Sequence, residues 1–209
     1  DYFGNDTDYQ ASYNTDIRGI GTGNGADLHA VSGFSDGLQI EATSGLDNTN
    51  EFVIFAHDGS VAHADNSTAD ISDPDITDRW QKDYYVEVSQ NGVLDAASVE
   101  TEFIFDFDSA GLAPISGATT DYVLLYRSST ADDFTRVFVN SYTQNGDQLT
   151  VSVPASRLRT GYYTIGRGSQ LVSRTWYVLQ NGNWNDPATW TVDAGSAPIP
   201  NNPLNELPG

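Results

Sequence analysis

Between Val99 and Asp108 the chain alternates with a period of two. Val99, Thr101, Phe103, Phe105 and Phe107 fall on one side, and Glu100, Glu102, Asp106 and Asp108 on the other. Ile104 is the one apolar residue on the polar side. Successive side chains of a strand point to opposite faces, so the pattern predicts a half-buried β-strand. Upstream, Tyr84, Val86 and Val88 alternate with Tyr85, Glu87 and Ser89, followed by Asn91-Gly92, two residues that tolerate positive φ. The two runs predict a hairpin sharing one core, and the rest of the chain is organised around this stretch from Arg79 to Leu112.

Shorter patterns surround it. Leu28–Val31 and then Leu38, Ile40 and Ala42 predict two strands about a Ser35-Asp36-Gly37 turn. Glu51–Ala56 and Tyr122–Arg127 are compact apolar runs that read as buried strands. Arg136–Tyr142 and Gln148–Val153 predict a hairpin around Asn145-Gly146, and Tyr162–Gly166 a last strand. Residues 1–27 read as irregular chain with short extended pieces. His57–Asp78 has no periodicity, and its Pro74 rules out a regular element, so it reads as a surface loop or a seam. Helical periodicity is nearly absent; the stretch 156–159 holds one turn at most. The fold class expected over residues 1–168 is therefore all-β, an antiparallel β-sandwich-like module.

From residue 169 the composition shifts. Three of the four tryptophans and five of the eight prolines lie there, which predicts a linker and the start of a following β domain. Trp176, Trp184 and Trp190 each need about 150–250 Å² of cover, more than so short a segment supplies alone. They are the candidate joint or assembly residues, packing on the main module, on a further domain, or on another copy of the chain.

Composition narrows the partners. The 209 residues carry 29 Asp+Glu against 9 Lys+Arg, a net charge of −20. Residues 1–78 hold 15 of the acids and a single base, Arg18. Such a surface repels nucleic acid and anionic membrane, and suits cation binding, high salt or an extracellular setting. With no cysteine there is neither a disulfide framework nor a thiolate metal site. No apolar run approaches the roughly 20 residues of a membrane-spanning helix. Methionine is absent and the chain opens on Asp1, so it is expected to be a processed or excised piece of something longer.

Candidate chemistry is sparse. There is no nucleophile elbow, and His29, His57 and His63 all lie in the acidic first part. No enzymatic activity is expected. Glu100 and Glu102 share a strand face that is expected to meet solvent rather than to work as a catalytic carboxylate pair. No cofactor is expected to be required, but calcium is a candidate. Asp70, Asp73, Asp75 and Asp78 set oxygen ligands on one polar loop, which suits calcium's irregular shell. Asp106-x-Asp108-x-x-Gly111 matches the first, third and sixth positions of a calcium loop but lacks acids at the fifth and twelfth, Ala110 and Gly117. Asn5, Asp6 and Asp8 form a third acidic group. Tyr2, Phe3, Tyr9 and Tyr13, or the three C-terminal tryptophans, could stack on sugar rings, although aromatic residues in β proteins mostly build core. Lys82 is the only lysine. It is expected to pair with an acid on the sheet surface, the alternative being an amide bond to an Asp or Asn in a buried pocket.

A series of segments comes in a recognisable order: NTDIRGIG from Asn14, EFVIFAHDG from Glu51, RWQKDYYVEV from Arg79, FIFDFDSAGL from Phe103, DYVLLYRSS from Asp121 and GYYTIGR from Gly161. Together they resemble a β-rich module of large, adhesin-like surface proteins that Bacteroidota export by the type IX pathway. The family's usual Arg-Asp pair after the first segment is Thr22-Gly23 here. Gly182-x-Trp184-x-Asp186-Pro187-x-Thr189-Trp190 resembles the first strand of a β-helix or repeat-type domain in such proteins. The resemblance implies an extracellular or cell-surface location, partners that are neighbouring domains or further copies, and no catalytic residues. The expected role is a non-catalytic structural or adhesive module of a surface protein or filament. The alternatives are a carbohydrate-binding module of a secreted hydrolase, taking a surface glycan, and a calcium-stabilised filament subunit.

Overall fold

The computed structural model describes residues 12–23, 28–59, 68–71, 73–96, 98–168 and the strand pairs at 177–178 and 190–191. Its strands are β1 (Thr15–Thr22), β2 (Leu28–His29), β3 (Leu38–Ser44), β4 (Glu51–His57), β5 (Ile76–Arg79), β6 (Tyr84–Gln90), β7 (Val93–Leu94), β8 (Glu100–Asp106), β9 (Tyr122–Arg127), β10 (Thr135–Arg136), β11 (Ser141–Asn145), β12 (Gln148–Val153) and β13 (Gly161–Gly168). β14 (Tyr177–Val178) and β15 (Trp190–Thr191) follow. The only helical pieces among the described residues are two single 3-10 turns, at Thr119–Asp121 and Ala155–Arg157. No described helix is long and apolar enough to cross a membrane.

Two antiparallel sheets pack together as a β-sandwich. The larger runs β10-β9-β13-β6-β4-β1-β2, with β5 also pairing with β13 and β7 with β6. The smaller runs β11-β12-β8-β3. Between them lies one apolar core. From the small sheet come Leu38, Ile40, Phe103, Phe105, Leu149, Val151 and Val153; from the large one Val53, Phe55, Val86, Val88, Leu124, Tyr163 and Ile165. The alternation in β8 is fully expressed: Val99, Thr101, Phe103, Phe105 and Phe107 are all buried, while Glu100 and Asp108 are exposed.

The pairing around that strand differs from the expected hairpin. The Asn91-Gly92 turn folds β6 back onto the two-residue β7, with Ser89 opposite Leu94. After Asp95, at φ 57°, the chain passes to the other sheet, where β8 pairs with β3 and β12. The two alternating runs thus share a core by facing each other across it, not by lying side by side. Periodicity reports which face is apolar, and both arrangements satisfy that. The stretch Arg136–Tyr142 is likewise not one strand: Arg136 ends β10, paired with β9 in the large sheet, whereas β11 begins at Ser141 in the small one. Within the polar stretch 57–78, β5 starts two residues after Pro74, where the lost N–H costs no ladder bond.

The large sheet also carries a second apolar cluster on its outer face. Tyr13, Ala56, Ile76, Tyr85, Val123, Leu125, Phe134 and Tyr162 are buried there. The alternate positions of β4, β6, β9 and β13 supply this cluster, which is why those strands are apolar on both sides. Ile71 and Phe134 bridge as parallel partners above it and help roof the outer face.

The chain divides into two compact units, 1–171 and 172–209. In the second, β14 pairs with β15, and Val178 lies opposite Trp190. Trp176 and Trp184 lie outside the described residues, as do Tyr2, Phe3, Tyr9, His63 and the Asn5, Asp6, Asp8 group.

Candidate functional site

β5 and β6 are one strand interrupted. Both pair with β13, with Arg79 opposite Gly166 and Tyr84 opposite Tyr163. Trp80–Asp83 therefore place four residues against the two of Thr164 and Ile165. The excess leaves the ladder, and its polar groups find other partners. Trp80 N–H still reaches the Ile165 carbonyl at 2.8 Å. Thr164 Oγ1 lies within bonding reach of the Trp80 and Lys82 carbonyls, at 3.1 and 2.9 Å. A bulge of this kind re-aims side chains that a regular strand would send strictly up and down. Here Arg79, Trp80, Lys82 and Asp83 are all buried, and they divide between the two faces of the sheet.

Arg79 turns to the outer face. Its Nε and Nη2 donate to the two oxygens of Asp70 at 3.0 and 2.6 Å, and its Nη1 donates to the carbonyls of Trp80 and Gln81. Asp83 goes the same way. Its Oδ1 accepts from the Tyr13 hydroxyl at 2.6 Å and its Oδ2 from Arg127 Nη2 at 2.5 Å. Arg127 Nη1 lies 3.4 Å from Asp70, which closes the chain Tyr13–Asp83–Arg127–Asp70–Arg79. Phe134 lies beneath both guanidiniums, its ring centre 4.9 Å from Arg79 Cζ and 4.3 Å from that of Arg127. Such stacking suits the flat, weakly hydrated guanidinium. Burial, then the Asp83 charge, pushes the Tyr13 phenol well above its ordinary range, so it stays a neutral donor.

Trp80 turns inward, its ring edge-on to Phe105 and Phe107 at 5.3 and 5.0 Å. Lys82 also turns inward, and its Nζ sits directly against the Asp36 carboxylate. Asp36 belongs to the tight turn that leads into β3 of the small sheet, so this contact joins the two sheets. The turn is itself pinned: Tyr84 donates to the Asp36 carbonyl at 2.6 Å, and Ser35 Oγ donates to the Asp16 carbonyl at 2.8 Å. His57 Nε2 is 4.0 Å from the same Asp36 oxygen, and its Nδ1 accepts from the Gly59 N–H at 3.0 Å. Burial lowers the basicity of both Lys82 and His57. Lys82 thus pairs with an acid as expected, but inside the protein and not on its surface.

Three of the four loop carboxylates proposed for calcium face arginines. Asp70 holds Arg79 and Arg127, as above. Asp73 holds Arg136 through Nε at 2.6 Å and Nη2 at 3.0 Å, and Asp75 lies 3.7 Å from the same guanidinium. Asp78 is in β5, opposite Arg167. Among the described residues no group of three or more acid or imidazole side chains is arranged to hold a metal ion. Asp106 is likewise committed, its oxygens accepting from the Ser109 N–H at 2.8 Å and from Gln148 at 2.9 Å. Glu100 is exposed and Glu102 half-buried in a strand face. Tyr13 is a core residue of the outer face and no part of a stacking platform.

A groove of about 430 Å³ opens elsewhere, along β1 and the segment 29–33, with Arg18, His29, Val31, Ser32 and Phe52 among its walls. Phe52 lies across Gly21, its partner on the neighbouring strand, where any side chain would collide with the ring. Arg18 is steered by Asp16 at 2.5 Å and by the Phe34 carbonyl at 3.2 Å.

The sequence does carry a signal for the charged network: Lys82 and Asp83 directly precede the largely apolar β6, and Arg127 ends the apolar β9. The identity of their partners, Asp70 and Asp36, carries none, because both lie in unremarkable turns. Compared with protein-family models, curated proteins and solved structures, the chain matches none.

Proposed function

We propose that the chain is a non-catalytic structural or adhesive module of an extracellular surface protein or surface filament. The observation that carries this reading is the use made of the bulge at residues 79–83. Its buried charges tie the roof loop, the N-terminal segment, β9 and the opposite sheet to one another. Arginine and carboxylate are consumed by internal struts, of which Arg79 with Asp70 is bidentate, and such pairs resist separation of the parts they join. A module that transmits load along a stalk needs such ties. The acidic surface, and the resemblance of the ordered series of segments to modules of type IX-exported surface proteins, support the same location and role, and neighbouring domains or further copies are then the partners.

The test is single-molecule pulling of the full chain between reference modules. A discrete unfolding event is expected, at a force lowered in Arg127→Met. Extension without a resolvable force peak would remove the reading. The groove beside Phe52 supports a second reading, a carbohydrate-binding module. Retention on a glycan array, lost in both Phe52→Ala and Arg18→Ala, would establish that reading in place of the first.

A further inference from the structure

We propose that Lys82 Nζ and Asp36 Cγ form an intramolecular amide bond that covalently staples the two sheets of the sandwich. The inference stands on the geometry of this pair alone and does not depend on the role proposed above. The chain has eight arginines and one lysine. Every other buried cation–carboxylate pair among the described residues uses arginine: Arg79 with Asp70, Arg127 with Asp83, Arg136 with Asp73. Arginine is the better residue for that task, since its planar fork binds both carboxylate oxygens and is less hydrated than an ammonium. At the single exception stands the one side chain in this sequence that can become a primary amine, 4 % exposed, against a carboxylate. Lysine is almost never so buried unless it is paired, and a desolvated ammonium gives up its proton more readily. Burial does shift Lys82 in that direction.

Both reactants are also held in place. The Lys82 carbonyl is bonded by the fully buried Thr164. Asp36, at φ 44° in its turn, is fixed through its own carbonyl by Tyr84 and through Ser35, whose N–H and carbonyl both pair with Leu38. Such fixation turns an unfavourable condensation into an intramolecular step at high effective concentration. The step balances without any other reagent. The ammonium proton passes to the touching carboxylate oxygen, giving amine and carboxylic acid. The amine attacks Cγ, a second N–H proton joins the departing hydroxyl, and the C–O bond breaks. An ammonium and a carboxylate become one amide and one water. The Asp36 side chain is 38 % exposed, so the water has a way out.

The experiment is the intact mass of the full chain, folded first and then denatured, followed by tryptic mapping. The expected mass is one water below that of the sequence. Trypsin cleaves after arginine and free lysine, so the amide should block cleavage after residue 82 and join the peptide 19–79 to the peptide 80–127. The Lys82→Arg variant should show the full mass of its own sequence, whether or not it folds. A wild-type chain of full mass overturns the proposal and leaves the pair ionic. A chain one water short whose residue-36 and residue-82 peptides are recovered separately overturns it too, since Asp36-Gly37 can lose water by closing on its own backbone.

Discussion

The large sheet has two covered faces, and they are built by different rules. Its inner face meets the small sheet through Val, Leu, Ile and Phe side chains, with Trp80 edge-on to Phe105 and Phe107. Its outer face is roofed by the irregular residues 12–14, 68–71, 73–75 and 128–134, and its contacts are arginine–carboxylate pairs, tyrosine hydroxyls and Phe134. Two regular sheets present matching apolar surfaces, and the directional contacts described between them gather at one turn, where Lys82 and Tyr84 meet Asp36. A roof of loops exposes backbone and short polar side chains, and can be fixed in only one place if directional bonds select that place. The inner face therefore supplies stability through area. The outer face supplies uniqueness, because each guanidinium accepts one arrangement of carboxylates.

The comparison predicts that the inner face responds to lost volume. Phe105 is fully buried between Leu38 and Leu149 on its own sheet and beneath Trp80. Phe105→Ala is expected to cost about 3–5 kcal/mol in denaturant unfolding, the range for an aromatic removed from a core. Glu102→Ala, three positions earlier on the other face of β8, should stay within about 0.5 kcal/mol. Similar small losses in the two variants would mean that the inner face is loosely packed and that the distinction between faces fails.

Next in size is the outer face, which should respond to lost charge rather than lost volume. Arg127→Met keeps most of the side-chain bulk over Phe134 but leaves Asp83 buried with only the Tyr13 hydroxyl. A loss of about 3 kcal/mol is expected, because an uncompensated buried charge is costly. The double variant Arg127→Met with Asp83→Asn removes that charge and should recover a large part of it. A double variant no more stable than the single one would show that the guanidinium acts by packing, and the outer face would then follow the same rule as the inner.

The two faces were also unequally legible in the sequence. Period-two alternation in β8 and β12 identifies core and solvent sides directly, since apolar area is a property of each residue by itself. Strand partners are not such a property, and β6 and β8 satisfy the same pattern as hairpin neighbours or as opposed layers. The double-sided burial of Tyr85, Val123 and Tyr162 is visible only as unbroken apolar character, which gives no clue to what covers it. The ion network depends on long-range pairs such as Asp70 with Arg127 and Asp36 with Lys82, separated by 57 and 46 residues. An aspartate in a polar loop reads as a solvated charge or a calcium ligand until the fold brings an arginine to it. For that reason the carboxylates of the roof loop were the least readable part of the candidate site.

The smallest expected effect lies at the boundary between the two faces, where His57 ends β4. Its ring is edge-on to Tyr84 at 6.3 Å, and its Nδ1 is occupied by the Gly59 N–H. Burial, only partly offset by Asp16 and Asp58, holds its pKa below the ordinary 6.5. In the window between the folded value and 6.5 the unfolded chain therefore binds more protons than the folded one. Stability must rise with pH through that window and fall as pH drops through it. The contribution is fully present above 6.5, and acidification removes it as the imidazole is forced to take a proton. Denaturant unfolding of the wild type and of His57→Gln, compared from pH 7.5 downward, should show a decline in the wild type that is shallower in the variant. The Arg127→Met variant should keep the wild-type slope, since its pairs do not contact His57. Parallel curves for wild type and His57→Gln would mean that the imidazole is accommodated in both protonation states, beside the Asp36 carboxylate, and that this boundary is wetter than the faces it separates.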